Sequence, residues 1–122
     1  MPLVHPTSGA GNTIEVWDTE EKGSDVNLAT FLLMDGYRQD YEQALVVSND
    51  ADLALPIRMV RDELQLPVGV VNPNCDPKES TPRELTDAAI FTRRLRLKAL
   101  KESQFPQKLR DSVGVIVKPR SW

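Results

Sequence analysis

Disulfides, thiolate metal sites and membrane spans all need residues that this 122-residue chain lacks. It has one cysteine, Cys75, and one histidine, His5. A single thiol forms no internal disulfide and has no partners for a cysteine-based zinc site. No run approaches the ~18 consecutive apolar residues that a membrane helix needs. The start, MPLVHPTSGAG, lacks the cationic and then apolar pattern of a secretion signal. A reducing, cytoplasmic compartment is the expectation. What is present is ordinary for a folded protein: 40% hydrophobic and 27% charged residues, too apolar for a disordered chain and enough for one core.

Charge is divided along the chain. Residues 1–80 carry 14 acidic against 5 basic side chains, a balance of −9, and residues 81–122 carry 4 against 10, a balance of +6. Such a division suits an acidic site beside a basic surface, or simply helix faces solvated by Lys and Arg.

Residues 1–12, rich in Pro, Gly, Ser and Thr, read as a flexible lead-in. Thr13–Asp18 (TIEVWD) alternates as a strand does. From Asp25 the spacing of Val26, Ala29, Leu32 and Leu33 predicts a helix ending near Gly36, with Asp25 at its cap. Ala44–Val47 (ALVV) and Val68–Val71 (VGVV) read as strands buried on both faces. Leu53–Leu66 between them reads as a helix burying Leu55, Met59, Val60 and Leu64. Thr81-Pro82-Arg83-Glu84 has the form of a capping box opening a helix to about Arg93. A short helix over Leu97–Ser103 and a strand at Gly114–Val117 follow. Alternating strands and helices imply a three-layer α/β fold, a parallel sheet flanked by helices, with ligands bound outside the carboxyl ends of its strands.

Asp50 and Asp52 stand at one such end, and Asp25 opens a helix after another strand. If those ends converge, three carboxylates share a cleft and repel one another unless a cation lies between them. A hard ion with oxygen ligands, Mg²⁺ or Mn²⁺, answers that repulsion and suits phosphodiester hydrolysis. The plainer reading is that Asp25 and Asp52 are helix caps.

Two stretches carry a resemblance. Glu21-Lys22-Gly23-Ser24-Asp25-Val26-Asn27-Leu28-Ala29, and then Leu45-Val46-Val47-Ser48-Asn49-Asp50-Ala51-Asp52-Leu53, resemble the NYN branch of the PIN-like nuclease superfamily. The tail, from Leu100 through Phe105-Pro106 and Gly114 to Lys118-Pro119 and Trp122, is similar to the ending of bacterial members. The resemblance spans residues 13–122 and implies a single NYN/PIN-like domain. It implies a Mg²⁺- or Mn²⁺-dependent ribonuclease with Asp25, Asp50 and Asp52 as catalytic metal ligands. Thr13–Asp18, Ala44–Val47 and Val68–Val71 would be the third, fourth and fifth strands of the family's 3-2-1-4-5 sheet. The first two strands, one bearing a further acidic ligand, have no counterpart. The expectation is thus a domain truncated at its N-terminus, with a homodimer completing the sheet. It acts as a nuclease or as an inactive remnant serving as an oligomerising or RNA-binding module.

Lys22, Arg93, Arg94 and Arg96 are candidates for contact with RNA phosphates, against the reading of an amphipathic helix with a solvated face. Trp17, Phe105 and Trp122 read as core or interface anchors. Neither His5 nor Cys75 has an identifiable catalytic partner.

Overall fold

The structure, a computed structural model, describes residues 22–122 in full and residues 2–9 and 12–19 by their strand pairing alone. In chain order, β1 (Pro2–Gly9) pairs antiparallel with β2 (Asn12–Thr19). Then come α1 (Ser24–Tyr37), β3 (Ala44–Val47), a single 3-10 turn (Ala51–Leu53), α2 (Ala54–Glu63) and β4 (Val68–Asn72). After these, α3 (Arg83–Ala88) leads to β5 (Phe91–Arg94), α4 (Leu97–Glu102), and an antiparallel pair, β6 (Lys108–Arg110) and β7 (Val115–Val117).

The fold is α/β. Its centre is a parallel three-stranded sheet in the order β3-β4-β5, flanked by helices. Valine dictates the middle strand: β4 sits between two neighbours, and Val68 and Val70 are fully buried. Val46 and Val70 are register partners, so they point to the same face. On that face Leu32 of α1, Ile57 and Val60 of α2, and Leu85 and Ala88 of α3 close the core. The two faces are not covered alike. Leu45 and Val47 point the other way and are 56% and 55% exposed. The strand order explains this, because right-handed crossovers that step in one direction across a sheet all fall on one side of it.

Several expectations are corrected. The span 1–12, read as a lead-in, contains β1. Thr13–Asp18 is a strand, but it lies in β2, paired with β1 and outside the three-stranded sheet. Of Ala44–Val47 only Val46 is buried, since β3 is an edge strand with one covered face. Val26 and Phe31 of α1 face outward, and α2 is rotated from the expected stripe, burying Pro56 and Ile57 while Leu55 is exposed. The capping box does not form. Pro82 occupies the cap of α3, and the Thr81 hydroxyl instead accepts a hydrogen bond from Asn72 Nδ2 at 3.3 Å. That helix ends at Ala88, and Arg93 and Arg94 belong to β5, a strand the capping signature had concealed.

Close approach fixes one glycine. A Cβ on Gly69 would collide with the ring of Phe91, its register partner on β5. Gly69→Ala must push that ring off the sheet, and the expected loss is about 1–3 kcal/mol, as for other overpacked sites. Urea denaturation measures it, and Gly69→Ala combined with Phe91→Leu should recover part of the loss.

Among the described residues no helix is long and apolar enough to cross a membrane.

Candidate functional site

The carboxyl end of β3 and the start of α1 meet at the sheet's rim. Hydrogen bonds build the first element locally. Ser48 extends the β3–β4 ladder, its N–H donating to Val71 O at 3.0 Å. Its hydroxyl then accepts from the Asp50 N–H at 3.1 Å. Asp50, in extended backbone, caps the 3-10 turn, with Oδ1 accepting the Asp52 N–H at 2.9 Å. The capping aspartate is therefore Asp50, a role expected of Asp25 and Asp52.

The second element depends on Gly23. It caps α1 with φ +81°, a left-handed conformation that glycine adopts without strain. The turn places Ser24 first in the helix and Asp25 in the first turn, where the N-terminal peptide dipoles favour negative charge.

Asp25 is near enough to Asp50 to act on its carboxyl, so the two side chains are neighbours across this rim. The Asp50 carboxyl is held below its ordinary range, first by the Asp52 N–H and second by Asp25. Two carboxylates side by side repel, and a proton or a cation between them relieves the repulsion. Asn49, next in sequence to Asp50, adds a side-chain oxygen that is buried with no hydrogen-bond partner among the described residues. Buried acceptors of that kind are few in folded proteins and ask for a donor or a cation. Nothing in the sequence around Asn49 marks its oxygen as buried.

The structure thus joins two of the three expected ligands. Asp52 is exposed, and its carboxylate makes no hydrogen bond among the described residues. No group of three or more His, Cys, Asp or Glu side chains comes together among those residues. The all-oxygen donor set still fits a hard divalent cation. Magnesium is commonly held by one or two carboxylates, with waters and substrate phosphates completing the shell.

The candidate RNA-contacting residues have different local roles. Lys22 lies on the exposed approach to α1. The Arg93 guanidinium sits 5.4 Å from the centroid of the Phe91 ring. Arg94 fastens the β4–α3 loop, donating to Asp76 O at 3.2 Å and to Glu79 O. Arg96 caps α4. The side chains of His5, Trp17 and Glu21 lie outside the described residues.

No family model matches the chain. It is 33% identical over 110 residues, 89% of its length, to 6-hydroxy-3-succinoylpyridine 3-monooxygenase HspA of Pseudomonas putida (strain DSM 28022 / S16). The chain spans only 35% of that relative. A crystal structure of a protein of unknown function, VPA0982 from Vibrio parahaemolyticus RIMD 2210633, shares the fold. The TM-score is 0.52 at 22% identity, over 69% of this chain and 49% of that one.

Proposed function

We propose that this protein is a divalent-metal-dependent ribonuclease of the NYN type, with Asp25 and Asp50 holding Mg²⁺ or Mn²⁺ and Asp52 at the margin of the site. The observation that supports the reading is the contact between Asp25 and Asp50, which are 25 positions apart in the chain and reach one point at the rim of a parallel sheet. When bound, the ion supplies activation of water and neutralisation of charge on the scissile phosphate. The protein's part is positional. Asp50 is locked by the Asp52 N–H and by its own N–H on Ser48, and Asp25 is oriented by the first turn of α1. A cation arriving there would take the place of the proton that two adjacent carboxyl groups otherwise share.

The test is cleavage of a labelled single-stranded RNA in manganese. Cleavage should appear with manganese, vanish with a chelator, and fall at least ~10-fold in Asp50→Asn, since even an outer partner of a metal ligand is worth about 10–100-fold. Cleavage that survives Asp50→Asn rules the reading out.

Two further readings have their own support. A carboxylate pair without a third acidic partner among the described residues favours an inactive NYN-like module that binds RNA or oligomerises. The identity to HspA favours a part in the oxidation of 6-hydroxy-3-succinoylpyridine. That name belongs to a protein of which this chain spans about a third, so the oxidation is a property of the longer whole.

A further inference from the structure

The C-terminal β6–β7 ribbon has a composition that the acidic site does not use. Its aromatic and apolar side chains are outside rather than inside. Phe105 is 79% exposed and Trp122 is 83% exposed, yet both line one cavity, together with Leu109, Ile116 and Lys118. Its free space of about 200 Å³ is below the roughly 300–1,000 Å³ of sites that enclose a whole cofactor. It admits a single planar ring.

The charge around it has one sign. Residues 103–122 carry Lys108, Arg110, Lys118 and Arg120 against a single acid, Asp111. None of these four cations forms a salt bridge among the described residues, whereas Arg61, Arg83 and Lys98 do. Asp111 is itself engaged, its carboxylate accepting the Val113 and Gly114 N–H groups, each at 2.8 Å, in the turn that joins the strands. The pairing places Lys108 and Arg110 on the face of the ribbon opposite Leu109, and Lys118 on the cavity side. Cations thus lie on both faces of a two-stranded ribbon whose open side carries two aromatic rings.

Exposed aromatics among unpaired cations meet the requirements of a single-stranded nucleic acid, whose bases stack and whose phosphates need countercharge. A duplex offers its phosphates but keeps its bases stacked away. We propose that the ribbon is a binding platform for single-stranded RNA, with a base taken between Phe105 and Trp122, phosphates held by Lys118 and Arg120, and Lys108 and Arg110 adding attraction from the other face. That the strand is RNA rather than DNA rests on the nuclease reading above, while the preference for a single strand rests on the ribbon alone.

The test is fluorescence anisotropy of a labelled ten-nucleotide oligo-U with the full chain, in chelator so that cleavage plays no part. Phe105→Ala and Trp122→Ala should each weaken binding about 5- to 100-fold, the range for removing one stacking partner. Lys118→Ala with Arg120→Ala should weaken it and flatten its salt dependence. Arg83→Ala, which removes an exposed cation outside the ribbon, should bind like the unchanged protein, and because chelator silences cleavage, loss of binding is read apart from the nuclease reading. Phe105→Leu, which keeps the apolar volume without the ring, controls for folding and should bind as poorly as Phe105→Ala. Unchanged affinity in the aromatic variants, or equal affinity for an RNA duplex, overturns the proposal. So does a change of oligomeric state in Phe105→Ala, by sedimentation, with oligo-U affinity intact, because the ribbon would then be a protein interface.

Discussion

Manganese at a hundred times its dissociation constant will raise the melting temperature of this protein by roughly 8–16 °C. An ion that binds only the folded state at that excess stabilises it by about 2.7 kcal/mol. For a chain of this length each kcal/mol moves the midpoint by about 3–6 °C. The increment will disappear in Asp50→Asn. The substitution removes a charge but keeps an oxygen for the Asp52 N–H, so the turn after β3 survives and loss of the shift reports on the cation alone. Asp52→Asn will retain most of the increment, because its carboxylate is not in the Asp25–Asp50 contact. A shift equally diminished in both variants would mean that the ion is held diffusely by the acidic half of the chain. Differential scanning fluorimetry with magnesium and calcium in parallel makes the comparison.

The second large effect lies in the core. Ile57 has no exposed surface and sits where α2 meets the sheet. Ile57→Ala removes about three methylene-sized groups at a place closed by Val60, Val68 and Leu85, so a cavity is left as well as transfer energy lost. The expected cost is about 2–5 kcal/mol, large against the ~5–15 kcal/mol that holds a typical domain together. Leu55→Ala, two positions away, should change stability by less than about 0.5 kcal/mol, because Leu55 is 62% exposed. Periodicity alone puts Leu55 on the buried stripe, so the pair of variants decides which face of α2 is inside. Guanidinium denaturation at unchanged slope gives both numbers.

What could be read without coordinates followed physical rules of different range. ALVV and VGVV are short apolar runs between polar loops, and both are strands of the parallel sheet. Which faces they bury could not be read, because exposure of Leu45 depends on β3 having only one neighbour. β5 was hidden for a local reason. The Thr-Pro-Arg-Glu signature and the run Leu85, Ala88, Ala89 extend a helical pattern to a point where Ile90, Phe91 and Thr92 already favour extended chain. Asn72 shows why that signature misled. It is fully buried at the end of β4 and takes the Thr81 hydroxyl for itself, a tertiary demand that outweighs a local cap. At the site, Asp25 and Asp50 were legible as residue types in the right places. Their contact, and the separation of Asp52 from it, depend on how α1 lies against the end of β3, and spacing along the chain carries no such information. The outward display of Phe105 and Trp122 was equally invisible, since aromatic residues are more often core than surface.

The most direct measurement is of manganese itself. Electron paramagnetic resonance of free Mn²⁺ counts ions bound per chain in the unchanged protein, in Asp25→Asn, in Asp50→Asn and in the double variant. One shared ion requires one tight site per chain, its loss in either single variant, and a double variant no worse than the singles, since both carboxylates serve one ligand. Asp25→Asn binding manganese as tightly as the unchanged protein would contradict a cation held between the two aspartates.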